Sequence, residues 1–182
     1  MEKRTKAKQK KVDEKIDRVK LISLSRKPVS VNILALDQAN KCGVAYQLVG
    51  EKAKVELWDL SIKNKESQGM KWLRFEAKLI NFIKKNDIKI IAYELPAGRN
   101  INPIIHSSKL ICIVEKACAD LGLEYIEMAT GSIKKFATGN GNAKKDLMIE
   151  FAKKLWGYEG EDDNEADALH ILHYLKSKIN YE

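Results

Sequence analysis

The hydrophobic pattern changes character at Pro28. Before it, almost no large apolar side chain precedes Ile16 and no heptad repeat is present, so residues 1–28 are expected to form a flexible arm or a frayed helix when free. Pro28 closes this arm, because the residue before a proline avoids helical backbone. From Val29 short β-type runs take over. VSVNILALD (29–37) is apolar and β-branched enough for a buried central strand, and it ends on an acid. CGVAYQLV (42–49) and KVELWDL (54–60), parted by Gly50 and Glu51, predict a hairpin antiparallel to the first strand. Apolar residues at spacings near three and four predict an amphipathic helix over 68–86. IKIIAYEL (88–95) is a second buried strand, again with an acid, Glu94, near its end. Residues 103–121 read as a mostly apolar helix stopped by Gly122, and 123–128 as a further strand. Helices over about 143–156 and 163–177 follow a Gly- and Asn-rich loop. The order β-β-β-α-β-α-β-α-α implies an α/β domain, a mixed five-stranded sheet with helices on both faces, since parallel crossovers need a dozen or more residues.

Composition adds boundaries to this picture. A chain of 182 residues, 45% hydrophobic and 32% charged, suits one folded domain (29–182) preceded by the arm (1–28). No apolar stretch approaches the ~18 residues of a spanning helix and no signal-type segment opens the chain, so no membrane association and a cytoplasmic location are expected. Cys42, Cys112 and Cys118 are an odd, widely spaced set with no CxxC pair, which predicts reduced thiols rather than disulfides or a zinc ribbon. The net charge is +8, which favours a polyanionic partner, and it is unevenly placed. Residues 1–28 carry eleven basic and four acidic groups, a net +7, leaving +1 for the domain.

The chemistry lies in the acids. Asp37 and Glu94 close apolar strands without an adjacent base, and EGEDDNEAD (159–167) opens the last helix. Each alone is explained by an exposed strand end or by favourable charge at a helix N-terminus. Together they suggest more. The first and fourth strands can be neighbours in a mixed sheet, and Asp163 and Asp167, four apart, share a helix face. Converging carboxylates with few Cys or His among them select Mg²⁺ or Mn²⁺, and two such ions suit phosphodiester hydrolysis.

Four segments in order resemble the RuvC-like Holliday junction resolvases of the RNase H-like superfamily, particularly the phage-type branch. They are LALDQANKCGVAYQ (34–47), IAYELPAGRN (91–100), GSIKKFATGNGNAKKDLM (131–148) and DDNEADALHILHYL (162–175). The resemblance implies an RNase H-like fold and a metal-dependent endonuclease that resolves four-way and other branched DNA as a homodimer, with Mg²⁺ or Mn²⁺, two ions per site; GNGNAKK matches neither GxxxxGK(S/T) nor a GxGxxG directly after a strand, so no nucleotide cofactor is expected. It makes Asp37, Glu94 and Asp167 metal-binding acids. Asn164 stands where family members often place an acid or histidine, so either Asp163 or the Asn164 amide oxygen supplies the fourth ligand. Gln38 stands where the family often has proline.

Lys134, Lys135, Lys144 and Lys145 flank the glycine loop, and the resemblance places Lys134 and Lys145 near the scissile phosphate. Arg99 follows Glu94 in a loop that could contact DNA, and Gly139 and Gly141 could let backbone amides approach phosphate. His170 and His173 have no third zinc-type ligand in spacing and read as packing residues. Phe136 is core or, if exposed, a wedge between bases. The alternatives are a noncatalytic branched-DNA binder of the same fold and an actin-like or sugar-kinase-like ATPase. The latter would need a second phosphate motif and usually a duplicated domain.

Overall fold

The computed structural model describes residues 2–62, 65–98 and 100–180. In chain order the elements are α1 (Glu2–Ser25), β1 (Ile33–Asp37), β2 (Lys41–Gln47), β3 (Lys54–Asp59), α2 (Gln68–Asn86), β4 (Ile90–Leu95), α3 (Ile101–Leu121), β5 (Glu124–Ala129), α4 (Thr130–Thr138), α5 (Lys145–Trp156) and α6 (Asp163–Ile179). The ILAL run of β1 is apolar throughout because both faces of the strand are covered. Ile33 and Ala35 enter one hydrophobic cluster, and Leu34 and Leu36 enter the other, as the two-residue period of a strand requires. The sheet order is β3-β2-β1-β4-β5, with β1–β2 and β2–β3 antiparallel and β1–β4 and β4–β5 parallel. This is the mixed five-stranded α/β sheet expected from the sequence.

On one face α2 buries Phe75, Leu79 and Ile83, four residues apart, in a cluster with Trp58, Tyr93 and residues of α3 such as Leu110 and Val114. The other face carries Ala35, Ala45 and Ala92, and α6 lies on this floor of small side chains with its own Ala166 and Ala168 in the same cluster. That pairing of small residues lets α6 sit close to the sheet, which matters for the site below.

Several boundaries differ from the sequence expectation. β1 begins at Ile33 rather than Val29, because Asn32 is used as a tie. Its Nδ2 donates to Asn86 O at 2.8 Å and its Oδ1 accepts from Val49 N–H at 2.8 Å. α4 was not expected as a helix. Its buried positions Ile133, Phe136 and Ala137 have helical spacing, but the segment is short and reads as a basic stretch. The expected arm is helical, and its second half is docked. Arg18 Nε donates to Phe136 O at 2.9 Å, its Nη2 donates to Ala137 O, and His173 Nδ1 meets Ser25 O at 3.2 Å. Arg18 thus serves carbonyls of the last turn of α4, which lack partners within that helix.

Candidate active site

The strand register brings the two strand-end acids together. Leu36 is level with Tyr93 in the parallel β1–β4 pair, so Asp37 and Glu94 follow side by side. On the other side of β1, Asp37 is paired with Gly43 of β2. Gly43 is where α6 arrives: a Cβ on it would lie 1.9 Å from Asn164 O and 2.4 Å from Asn164 C. Only a residue without a side chain lets the first turn of α6 press on the strand here. Asp162 caps that turn, its Oδ1 accepting from Asn164 N–H at 2.9 Å and Glu165 N–H at 3.2 Å. The cap and the close approach aim Asp163 and Asp167 at the strand ends.

The electrostatics follow from this convergence. Burial holds the Asp37 carboxyl well above the usual range, and the charges of Asp167, Glu94 and Asp163 push it in the same direction, with Lys145 opposing. Asp167 is raised to about 7 by burial and by Glu94 and Asp163, with Lys134 and Lys145 opposing. Glu94 is raised by burial and eased by the Thr130 hydroxyl and Lys134. Asp163 is ion-paired with Lys145, whose own pKa rises through that bond. The Asp163 charge acts on both Asp37 and Asp167.

The donor set fits a hard divalent cation. It consists of carboxylate oxygens, and Asp167 Oδ1 is buried with no hydrogen-bond partner, a costly state for an acceptor at a protein end of the sheet. Among the described residues no group of three or more His, Cys, Asp or Glu stands at closed metal-ligating spacing, so the four acids converge without forming a finished cage.

The bases divide. Lys134 and Lys145 act on the acid cluster. Lys135 is paired with Glu14 of α1 at 3.2 Å, and Lys144 is exposed at the start of α5. Arg99 lies outside the described residues. In the glycine loop the Asn140 and Asn142 amides donate to Thr138 Oγ1 at 3.1 Å and Asn140 Oδ1 at 3.0 Å, and the Gly139 amide donates to Lys135 O at 2.8 Å. Phe136 is buried and stacked on Trp156 and Tyr174, which removes it as a wedge. His170 accepts from Trp156 Nε1 at 3.0 Å and burial lowers it to about 4, as a neutral packing residue.

Sequence reasoning passed over two contributors. Gln38, only 4% exposed, lines a cleft of about 150 Å³ with Asp37 and Glu94, and its Nε2 is buried without a partner. Ser107, from α3, fixes the loop by donating from Oγ to Gln38 O at 2.9 Å. A polar residue directly after the strand-end acid was the available signal.

Sheet order, the covering helices and the acids at the strand ends define an RNase H-like α/β fold. More particularly, it is the form of that fold seen in RuvC. Thermus thermophilus RuvC in complex with a Holliday junction substrate superposes with a TM-score of 0.70 at 16% identity, over 83% of this chain and 96% of that one. A second structure of Thermus thermophilus RuvC gives 0.69 at 16% identity over the same shares. The yeast mitochondrial Holliday junction resolvase Ydc2 gives 0.56 at 13% identity, over 88% of this chain and 86% of that one. No family model and no curated protein sequence matches the chain.

Proposed function

We propose that this protein is a structure-selective DNA endonuclease that resolves four-way junctions and other branched DNA by hydrolysing phosphodiesters in paired strand cuts. The observation that carries this reading is the meeting of Asp37, Glu94, Asp163 and Asp167 at one end of the sheet, with Asp167 Oδ1 buried and unpartnered. These four residues would hold Mg²⁺ or Mn²⁺, two ions per site, which supply an activated water and charge stabilisation on the leaving oxygen. The protein's own groups do the positioning. Lys134 and Lys145, already close to the acids, hold the scissile phosphate, and the free Gln38 Nε2–H donates to one of its oxygens. Lys145 must leave Asp163 to do so, and the exchange of a carboxylate for a phosphate oxygen leaves its charge paired.

A homodimer would supply two sites for two cuts. Supporting it, α2 and α3 expose large apolar side chains at their N-terminal ends, including Leu73 (59% exposed) and Ile101 (68% exposed). Among the described residues no helix is long and apolar enough to cross a membrane, and the cytoplasm is the proposed location.

The decisive assay incubates purified protein with a labelled synthetic four-way junction. Symmetric nicks are expected with Mg²⁺ or Mn²⁺ and none in EDTA; an uncut junction in both metals would reject the proposal. Lys135, Lys144, Arg99 and α1 are proposed to add affinity rather than chemistry. Deleting residues 2–12 removes six basic groups and one acid while sparing the docked half of α1. Junction affinity should fall and its dependence on log salt should flatten, while cleavage at saturating protein stays within about twofold. An unchanged salt slope would show that the segment does not meet DNA.

A further inference from the structure

A second charged feature lies at the far end of the sheet from the acids. There the end of β2, the β2–β3 turn, the α1–β1 connection and the ends of α5 and α6 enclose a cleft of about 710 Å³. Arg26, Lys27, Lys52 and Lys176 line it, against the acids Glu51 and Glu159. Glu51 is engaged by Lys54 at 2.5 Å, which weakens the acidic side further.

Two polar groups in the wall lack a protein partner, one of them fully buried. Lys176 is only 3% exposed as a residue, but its ammonium is not sealed off, lines the cleft, and among the described residues is reached by no hydrogen bond or ion pair. Lys71, equally buried on the other face of the sheet, shows how this protein otherwise treats such a group: its Nζ donates to Asn40 Oδ1 and lies 3.3 Å from a ring nitrogen of His106. Gln47 is 7% exposed. Its Nε2 donates to Glu51 O at 2.8 Å, which fixes the amide orientation, and its Oε1 is buried with no partner. The wall therefore presents an unpaired ammonium at Lys176 to any anion in the cleft, and lacks a proton donor for the buried Gln47 Oε1, which is costly to leave unmet.

We propose that this cleft binds a terminal phosphate group, a phosphate monoester or inorganic phosphate, independently of the acid cluster. Such a group near neutral pH carries anionic oxygens and, in its monoprotonated form, a P–O–H, since its second ionisation lies near pH 6. The anionic oxygens meet Lys176 and the basic rim, and the P–O–H donates to Gln47 Oε1. An internal phosphodiester has no O–H to donate, so the cleft prefers a strand end or a small phosphorylated molecule over uninterrupted nucleic-acid backbone.

The test titrates inorganic phosphate into the full-length protein in EDTA at constant ionic strength, with sulfate as the anion that lacks a proton at this pH. Saturable binding at one site per chain is expected, roughly 10-fold tighter for phosphate than for sulfate. Lys176→Met keeps the aliphatic stem, should melt no lower than wild type because a partly desolvated charge is gone, and should lose phosphate binding by at least ~10-fold. Asp167→Asn should leave it unchanged. Competition by a duplex with 5′-phosphate ends, but not by its 5′-hydroxyl counterpart, would assign the phosphate to a strand terminus; competition by a nucleoside 5′-monophosphate would assign it to a small ligand. Absence of saturable phosphate binding, or equal binding by folded Lys176→Met, overturns the proposal.

Discussion

Asp167→Asn is expected to lose junction cleavage by about 10³-fold or more, as for groups that stabilise transition-state charge, and at the same time to make the metal-free protein more stable above pH 7. The second half follows from the sign of the shift. Asp167 titrates at about 7 in the folded protein against 3.8 for an unperturbed aspartate. Between these values the folded state holds more protons than the unfolded chain, so stability falls as pH rises through this window. The favourable contribution is complete below pH ~4 and lost above pH ~7, a difference of up to ~4 kcal/mol for a shift of this size. Replacing the carboxylate with a neutral amide removes that loss. Melting curves of wild type and Asp167→Asn in EDTA should therefore diverge from pH 5 to pH 8, the variant being flatter and higher. Adding Mn²⁺ should restore wild type at pH 8, because a ligand bound only by the folded state stabilises it, and should do little for the variant. A variant less stable than wild type at pH 8 would mean that the Asp167 carboxylate has a protein partner and no need of a cation.

That coupling of weakness to chemistry explains which parts of the site were legible. β1 and β4 are covered on both faces, so their apolar runs are continuous and a terminal acid stands out against them. The α6 acids could be placed by helical spacing alone. The level pairing of Asp37 and Glu94 follows once the first and fourth strands are neighbours, which the mixed topology allowed. What sequence could not supply are contacts between elements with no shared pattern. The docking of α1 includes an arginine reaching carbonyls more than a hundred residues away and a histidine of α6 meeting Ser25 O. The Lys145–Asp163 pair joins two helix starts. Gln38 reads as a loop residue until Ser107 is seen holding its carbonyl. α4 carried a readable three-four spacing, but nine residues at a strand exit give too little periodicity to separate a helix from a basic loop.

Gly43→Ala carries the other large expected effect, and it tests the geometry of the site without touching its chemistry. The added Cβ would stand 1.9 Å from Asn164 O, 2.4 Å from Asn164 C and 3.1 Å from Glu165 N, all backbone atoms of the first turn of α6. No rotamer change relieves such a clash. Either α6 lifts from β2 or the strand bends away, and overpacking of this kind costs about 3 kcal/mol. Because Gly43 is paired with Asp37, either movement separates Asp37 from Asp163 and Asp167. A displacement near 1 Å is enough to reduce turnover about 100-fold. Gly69→Ala is the control. Gly69 lies in α2, and the nearest atom its Cβ would meet is Ser67 Oγ at 3.6 Å, so the exchange should stabilise the protein by roughly 0.5–1 kcal/mol and leave cleavage unchanged. Gly43→Ala should show a lower midpoint in denaturant, weaker stabilisation by Mn²⁺ and slower cutting even at temperatures where it is fully folded. Wild-type cleavage from a fully folded Gly43→Ala protein would show that the acids do not depend on the close seat of α6, and the account of how this sequence assembles the site would have to be given up.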